Sequence, residues 1–228
     1  MSLFSTRRDA ARSRSLAFPT VLRVLIAVIA LCGLAAAPSP ALSADASDCI
    51  RAMVRAVDNA DQKAFEKRVD ISGVTGQIFD ELQTMGRMEQ YQAKMPPLMN
   101  LLISQGALES PMIRPLLVSE VRNFVLYGVG SGSFAGKKVE NYQNDSMLAP
   151  LFNMVSMGRK EIRRIDRPMM GENGQWIVPF SVLDHENGNT YRVLAQVAMV
   201  SDGWRMVGIS NLRALIEQIL LEAQAETV

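Results

Sequence analysis

The 228 residues carry 24 Lys and Arg against 23 Asp and Glu, with one His and two Cys, for a formal charge of +1. A balance this close to neutral provides no overall field to recruit nucleic acid or an anionic membrane. One histidine and two cysteines are also too few for the usual nitrogen and sulfur ligand set of a zinc centre.

Arg7, Arg8, Arg12, Arg14 and Arg23 precede an uncharged apolar run from Val24 to Ala37, which Pro38 and Pro40 end. Charged, then apolar, then small is the layout of a secretory signal peptide. Residues 1–46 are therefore expected to be removed, with cleavage after Ser43, Ala44 or Ala46. The apolar run is 14 residues long, short of the roughly 20 that a spanning helix needs. The mature chain is expected to be periplasmic or secreted and not a transmembrane protein. A twin-arginine route through Arg7-Arg8 is opposed by Ala10 and Ala11, where apolar bulk is usual. A lipid-modified Cys32 is opposed by Leu31, where a small residue is needed. Losing residues 1–46, with five Arg and two Asp, takes the formal charge from +1 to −2. Cys49 is then the remaining thiol, so the fold rests on packing without an internal disulfide. Four residues before Met53 on an apolar helical face, it reads as a small buried hydrophobe.

The expected remainder, 47–228, is one α+β domain: a helical part over 47–157, a sheet over 159–210 and a closing helix over 211–225. Ser47 or Asp48 can cap a helix carrying Ile50, Met53, Val54 and Val57, ended at Asp58-Asn59. Asp61 can cap a second with Phe65 and Val69. Ser72 is expected to start a third, with Val74, Ile78, Phe79, Leu82 and Met85 on one side and a first turn weakened by Gly73 and Gly76. Residues 86–95 are polar and ambiguous. Pro96-Pro97 open a short helix with Leu98, Leu101 and Leu102 that stops near Gly106. Ser110-Pro111 is a start signal, and Pro115 should kink the next helix or delay its start. Its apolar positions Ile113, Leu117, Val121, Phe124 and Val125 run to Gly128. Gly128–Gly136 reads as a flexible connector, Asn141–Asp145 as a polar one, and Leu148–Met157 as an apolar helical turn.

From Arg159 the period changes to two. Trp176, Val178, Phe180 and Val182 alternate, as do Tyr191, Val193, Ala195, Val197 and Met199. Asn187-Gly188 between them supplies the positive φ of a tight hairpin turn. Ser201-Asp202-Gly203 and Gly171–Gly174 mark two more turns, which gives a four-stranded antiparallel meander. Pro179 is expected at an edge or bulge because it cannot donate to a ladder. Leu212, Leu215, Ile216, Ile219 and Leu220 form the closing amphipathic helix.

Helices followed by a curved meander resemble the nuclear-transport-factor-like cone, also called cystatin-like α+β. Val57-Asp58-x-x-Asp61-x-x-x-Phe65-x-x-x-Val69-Asp70 is similar to the first-hairpin segments of uncharacterised secreted bacterial members. Ile177-Val178-Pro179, Val182-x-Asp184, Asn187-Gly188 and Gly203-Trp204 resemble the sheet of periplasmic phospholipid-carrier proteins. That resemblance implies an apolar cavity between helices and sheet, without catalytic residues.

The residues themselves limit the chemistry further. His185, flanked by Asp184 and Glu186, lies at a hairpin turn. Successive strand residues point to opposite faces, so Asp184 is poorly placed to orient the ring as a general base. No G-x-S-x-G elbow is present. A phosphate loop ending at Gly136-Lys137 would need glycine where Ser131 stands, and Lys138 replaces the required hydroxyl. Met85/Met88, Met95/Met99, Met154/Met157 and Met169-Met170 are spaced to pair. Thioethers suit Cu(I), but adaptable core packing is the simpler reading. Arg159, Lys160, Arg163, Arg164 and Arg167 form the densest basic cluster. It reads as a solvated strand face, with anionic lipid heads or an acidic partner as the alternative contact, and has no aromatic platform for nucleic acid. Asn144-Asp145-Ser146 is a glycosylation sequon, relevant in a eukaryotic secretory pathway.

The sequence thus predicts a non-enzymatic envelope protein, with no cofactor or metal, that binds an apolar ligand (a lipid included) or a protein partner. A pocket would lie between the Ser110–Gly128 helix and the inner sheet face, lined by Phe124, Tyr127, Phe180 and Tyr191. One alternative is an interaction or assembly protein using the basic cluster and exposed sheet face. The other is an enzyme using cone carboxylates such as Asp166 or Asp184.

Overall fold

The structure, a computed structural model, describes residues 46–138, 148, 158–171 and 174–225. It is α+β, with helices in the first half, a five-stranded antiparallel sheet and a closing helix. In chain order the elements are α1 (Ala46–Asp58), α2 (Gln62–Arg68), α3 (Ile71–Gly86), α4 (Glu89–Gln92), α5 (Pro97–Ser104), α6 (Arg114–Gly130), a 3₁₀ turn (Ser133–Ala135), β1 (Lys160–Ile165), β2 (Met169–Met170), β3 (Trp176–Asp184), β4 (Thr190–Val200), β5 (Gly203–Ile209) and α7 (Leu212–Ala225). Among the described residues no helix is long and apolar enough to cross a membrane.

Local signals account for most helix ends. α1 stops where Ala60 takes a left-handed φ of 55° and the Asp61 N–H donates to the Ala56 carbonyl at 2.8 Å. Asp61 then caps α2 by accepting from the Ala64 N–H at 2.9 Å. The cap of α3 is Asp70, not Ser72: its Oδ1 accepts from the Gly73 N–H at 3.0 Å. A Cβ on Gly73 would stand 2.5 Å from Asp70 Oδ2, so this glycine makes room for the cap and is more than a weak first turn. Pro115 falls in the first turn of α6 and delays that helix to Arg114, as the missing proline N–H allows. The expected connector after Gly128 is an ordered turn. Gly132 and Gly136 bracket it at φ 75° and 88°, and buried Phe134 packs where a Gly128 Cβ would be. Asn141–Asp145, the sequon, and all of Leu148–Met157 but its buried first residue lie outside the described residues.

The sheet runs β1-β3-β4-β5, and the short β2, absent from the four-stranded expectation, pairs with β3 beyond β1. Ile165 pairs with Phe180 and Met169 with Ile177, so the edge is interrupted opposite Pro179. The Pro179 carbonyl points to that interrupted side and accepts from the Asp166 N–H at 2.8 Å. Its missing N–H therefore faces a break in the ladder, which lets a proline sit in a central strand rather than at an edge. At β5 the free edge is covered. The Asp70 N–H donates to the Met206 carbonyl at 2.8 Å, and Gln77 Oε1 accepts from the Ile209 N–H at 3.1 Å. Closing an edge this way removes a template for aggregation.

One sheet face is dry. Val178, Phe180, Val182, Tyr191, Val193, Ala195, Val197 and Met206 are buried, together with apolar side chains of α1, α2, α3 and α7. The opposite face carries Ser181, Leu183, Arg192, Leu194 and Gln196 and is partly or fully exposed. This one-sided alternation is the usual state of an antiparallel sheet. Cys49 is buried, and its thiol donates to the Trp204 carbonyl at 3.2 Å. Burial pushes its pKa up to about 11.

Candidate functional site

Phe124, Phe180 and Tyr191 are almost wholly buried members of the core, and Tyr127 is half-buried. α6, which carries Phe124 and Tyr127, packs on α1, α2, α3 and the 3₁₀ turn. α1 packs in turn on β3, β4 and β5, so it occupies the interval between α6 and the sheet.

At the end of the dry face nearest the Asn187-Gly188 turn lies a polar group that sequence reasoning missed. Lys160 Nζ is 2.6 Å from Asp184 Oδ2, with the two side chains 0% and 1% exposed. The contact is a buried ion pair, and no second donor reaches Oδ2 among the described residues. Asp184 Oδ1 accepts from the Glu186 N–H at 2.9 Å, which fixes the turn. Nearby, the Tyr191 hydroxyl donates to Glu222 of α7 and accepts from Asn187 Nδ2. Burial first, and the Glu222 carboxylate second, hold the phenol well above its ordinary pKa. Lys160 thus leaves the basic cluster and enters the core. Its register partner is Asp184, and both share a face with Ile162 and Val182. A charge pair this enclosed gives substrate no access; it ties β1 to the hairpin.

The rest of the basic cluster is on the exposed side, where much of its charge is matched. Asp166 pairs with Arg164 and, at 3.1 Å, with Arg192. Glu161 faces His185 Nε2 at 2.7 Å and Arg163 at 3.7 Å. The His185 hydrogen bond, ahead of the arginine charges, lowers the Glu161 pKa. The carboxylate partner of His185 is therefore Glu161 across the strands, not Asp184 beside it. Met85, Met95 and Met99 are buried in the core, Met88 is half-buried and Met154/Met157 lie outside the described residues. Among the described residues no group of three or more His, Cys, Asp and Glu is arranged to hold a metal ion.

The concave feature with chemical character lies on the helical half. A groove of about 910 Å³, open to solvent, runs between the C-terminal end of α3, the α4 turn, α5 and residues 106–109. Its shape follows from three local choices. A Cβ on Gly86 would come 2.6 Å from Ile103 Cδ1, so α5 crosses close against the end of α3. Pro96, with φ −55° and ψ 142°, turns the chain so that Pro97 opens α5. Gly106, at φ 67°, ends it and returns the chain across the groove mouth, where Arg87 pairs with Glu109.

The groove walls are apolar at Pro97, Leu101 and Ile103, and Leu101 is 50% exposed. Gln92 Nε2 donates to the Gly86 carbonyl at 3.1 Å. Asn100 Nδ2 donates to the Gln92 carbonyl at 2.8 Å and the Met95 carbonyl at 3.3 Å, and Ser104 Oγ donates to the Leu101 carbonyl at 3.0 Å. Each amide nitrogen faces a carbonyl oxygen, which fixes the amide orientations. Gln83 is 7% exposed, and its Oε1 is buried without a hydrogen-bond partner among the described residues. The groove is thus apolar-walled, with one buried acceptor unpartnered among the described residues. No sequence signal gave it, because a polar helix end and a short loop acquire meaning only when α5 crosses them.

Compared with protein-family models, curated proteins and solved structures, the chain has no match.

Proposed function

We propose that the protein is an exported, non-enzymatic binding protein whose α3–α5 groove takes an apolar segment of a partner protein that offers N–H donors. The observation that carries this reading is the unpartnered Gln83 Oε1 beside the exposed Leu101. A buried acceptor without a donor costs about 1–3 kcal/mol. A donor delivered into the groove relieves that penalty after a small swing of the carboxamide, while Leu101 and Ile103 receive an apolar side chain. Export is supported by the charged-apolar-small order of residues 7–46. A non-enzymatic role is supported by the carboxylates: Asp184 is sealed, and Asp166 holds two arginines on the exposed face. Helices over one face of the sheet are compatible with a nuclear-transport-factor-like relationship, which belongs to the same proposal.

An open groove suits an extended or helical protein segment better than a fully enclosed acyl chain. A lipid ligand is the second reading, favoured by the apolar Pro97, Leu101 and Ile103 walls. Photo-cross-linking in cells separates the two. A photoreactive residue at Leu101 should give one discrete protein adduct, and the same residue at Arg192 should not. An adduct with lipid would select the second reading. Equal adducts from both positions, or none from Leu101, would remove the groove as the site.

A further inference from the structure

The groove on the helical half has an electrostatic bias that its apolar walls do not supply. A Cβ on Gly86 would meet Ile103, so the last turns of α3 and α5 lie against each other. Neither last turn carries a basic residue. Each helix end presents about half an elementary negative charge, and no cation within either turn offsets it. The charged residues that line the groove are Arg87 and Glu109, whose formal charges cancel. The two helix ends therefore leave this part of the groove at negative potential.

Gln83 Oε1 adds a buried, unpartnered acceptor, one turn before Arg87 on the same face of α3. Negative potential beside an unsatisfied acceptor favours a donor that is also a cation. Charge-assisted hydrogen bonds are roughly twice as strong as neutral ones.

Arg87 shows which cation fits. It is the C-cap of α3, and its guanidinium crosses the groove mouth to Glu109. The two side chains are 63% and 51% exposed, and a pair this open to water contributes little to stability. It is readily exchanged: a second guanidinium can take Glu109 while Arg87 turns to solvent. A guanidinium carries five N–H donors in one plane. It can place some of them on the Glu109 carboxylate and another on Gln83 Oε1, which Arg87 leaves unpartnered.

We propose, resting on the groove as the binding site, that the donor on the partner segment is an arginine guanidinium with an aliphatic neighbour against Leu101 and Ile103. Arg87 holds the place of that guanidinium in the free protein. It is thus a competitor built into the site, and its removal strengthens binding.

Two probes with the same tail test this, 3-methylbutylguanidinium and 3-methylbutylurea, titrated into the full chain and followed by nuclear magnetic resonance. Both offer N–H donors, and the first alone is charged. Either probe should shift the Gln83 side-chain amide and the Leu101 methyl resonances. The guanidinium should bind about tenfold more tightly than the urea compound. Glu109→Gln should erase that ratio, and Arg87→Gln should raise it. Added salt should weaken the guanidinium and leave the urea compound unchanged. Both substituted side chains are more than half exposed, and unchanged melting temperatures would confirm that the fold is intact. Equal affinities in the parent, or an Arg87→Gln protein that binds the guanidinium more weakly, would overturn the arginine proposal and leave the groove reading in place. No shift at Gln83 or Leu101 with either probe would remove the groove reading and this inference with it.

Discussion

Removing one partner of the Lys160–Asp184 pair should destabilise the domain far more than removing both. At 2.6 Å and an effective dielectric near 20, the attraction is roughly 6 kcal/mol in gross terms. Burying the two ions offsets several kcal/mol for each, so the net worth of the intact pair is small. Lys160→Met keeps the lysine stem but leaves the carboxylate buried without its counter-charge. Asp184→Asn keeps the acceptor for the Glu186 N–H but leaves the ammonium buried. Each single change should cost about 3–5 kcal/mol. The double change replaces the pair with a neutral amide beside a thioether and should lie within about 2 kcal/mol of the parent. Urea unfolding followed by circular dichroism, with unchanged m-values, gives all four corners of the cycle. Additive losses, or single losses below about 1 kcal/mol, would refute the argument that a sealed charge pair ties β1 to the hairpin.

Other expectations follow from single contacts. Gly73→Ala, which ordinarily gains about 1 kcal/mol in a helix, should lose that gain here because its Cβ meets Asp70 Oδ2 at 2.5 Å and disrupts the cap; in an Asp70→Ala background the same change should stabilise. Cys49 has its folded pKa raised from 9.0 to about 11, so the native state keeps the proton that the unfolded state loses. Its contribution is fully present below pH 9.0 and declines towards pH 11, by roughly 2–3 kcal/mol. Denaturation across that window should show a steeper loss in the parent than in Cys49→Ala, and equal slopes would refute it. Gln83→Met should raise the urea midpoint, by up to about 1–3 kcal/mol of stability, because it removes an unpartnered buried acceptor; a loss of stability would show that Oε1 is satisfied in solution.

What could be read along the chain was whatever one strand or one turn decides. The change of period after Arg159, the Asn187-Gly188 hairpin and the Asp61 cap depend on neighbours in sequence, and each is present in the structure. Interactions set by tertiary partners were not legible. Lys160 alternates with Ile162 and so had a core-facing position, but a lysine in a run of arginines reads as solvated until Asp184 is known to lie opposite. Pro179 breaks no ladder because the adjoining edge is itself interrupted, a fact held in the spacing of β1 and β2. Asp70 competes with Ser72 for the third cap, and Gly73 decides in its favour by leaving space. Phe124, Phe180 and Tyr191 are interior as their pattern implied. Which helix covers the sheet beside them depended on α1, whose own pattern gives no partner.

The central claim is that the groove keeps an acceptor unpaired in order to receive a donor. It is tested most directly by the affinity of the Leu101-cross-linked partner segment for Gln83→Met and parent protein side by side. The account predicts a variant that is more stable yet binds at least about tenfold more weakly, since a lost hydrogen bond to a bound N–H is worth roughly 1.4 kcal/mol. Unchanged affinity in a stabilised Gln83→Met protein would contradict it.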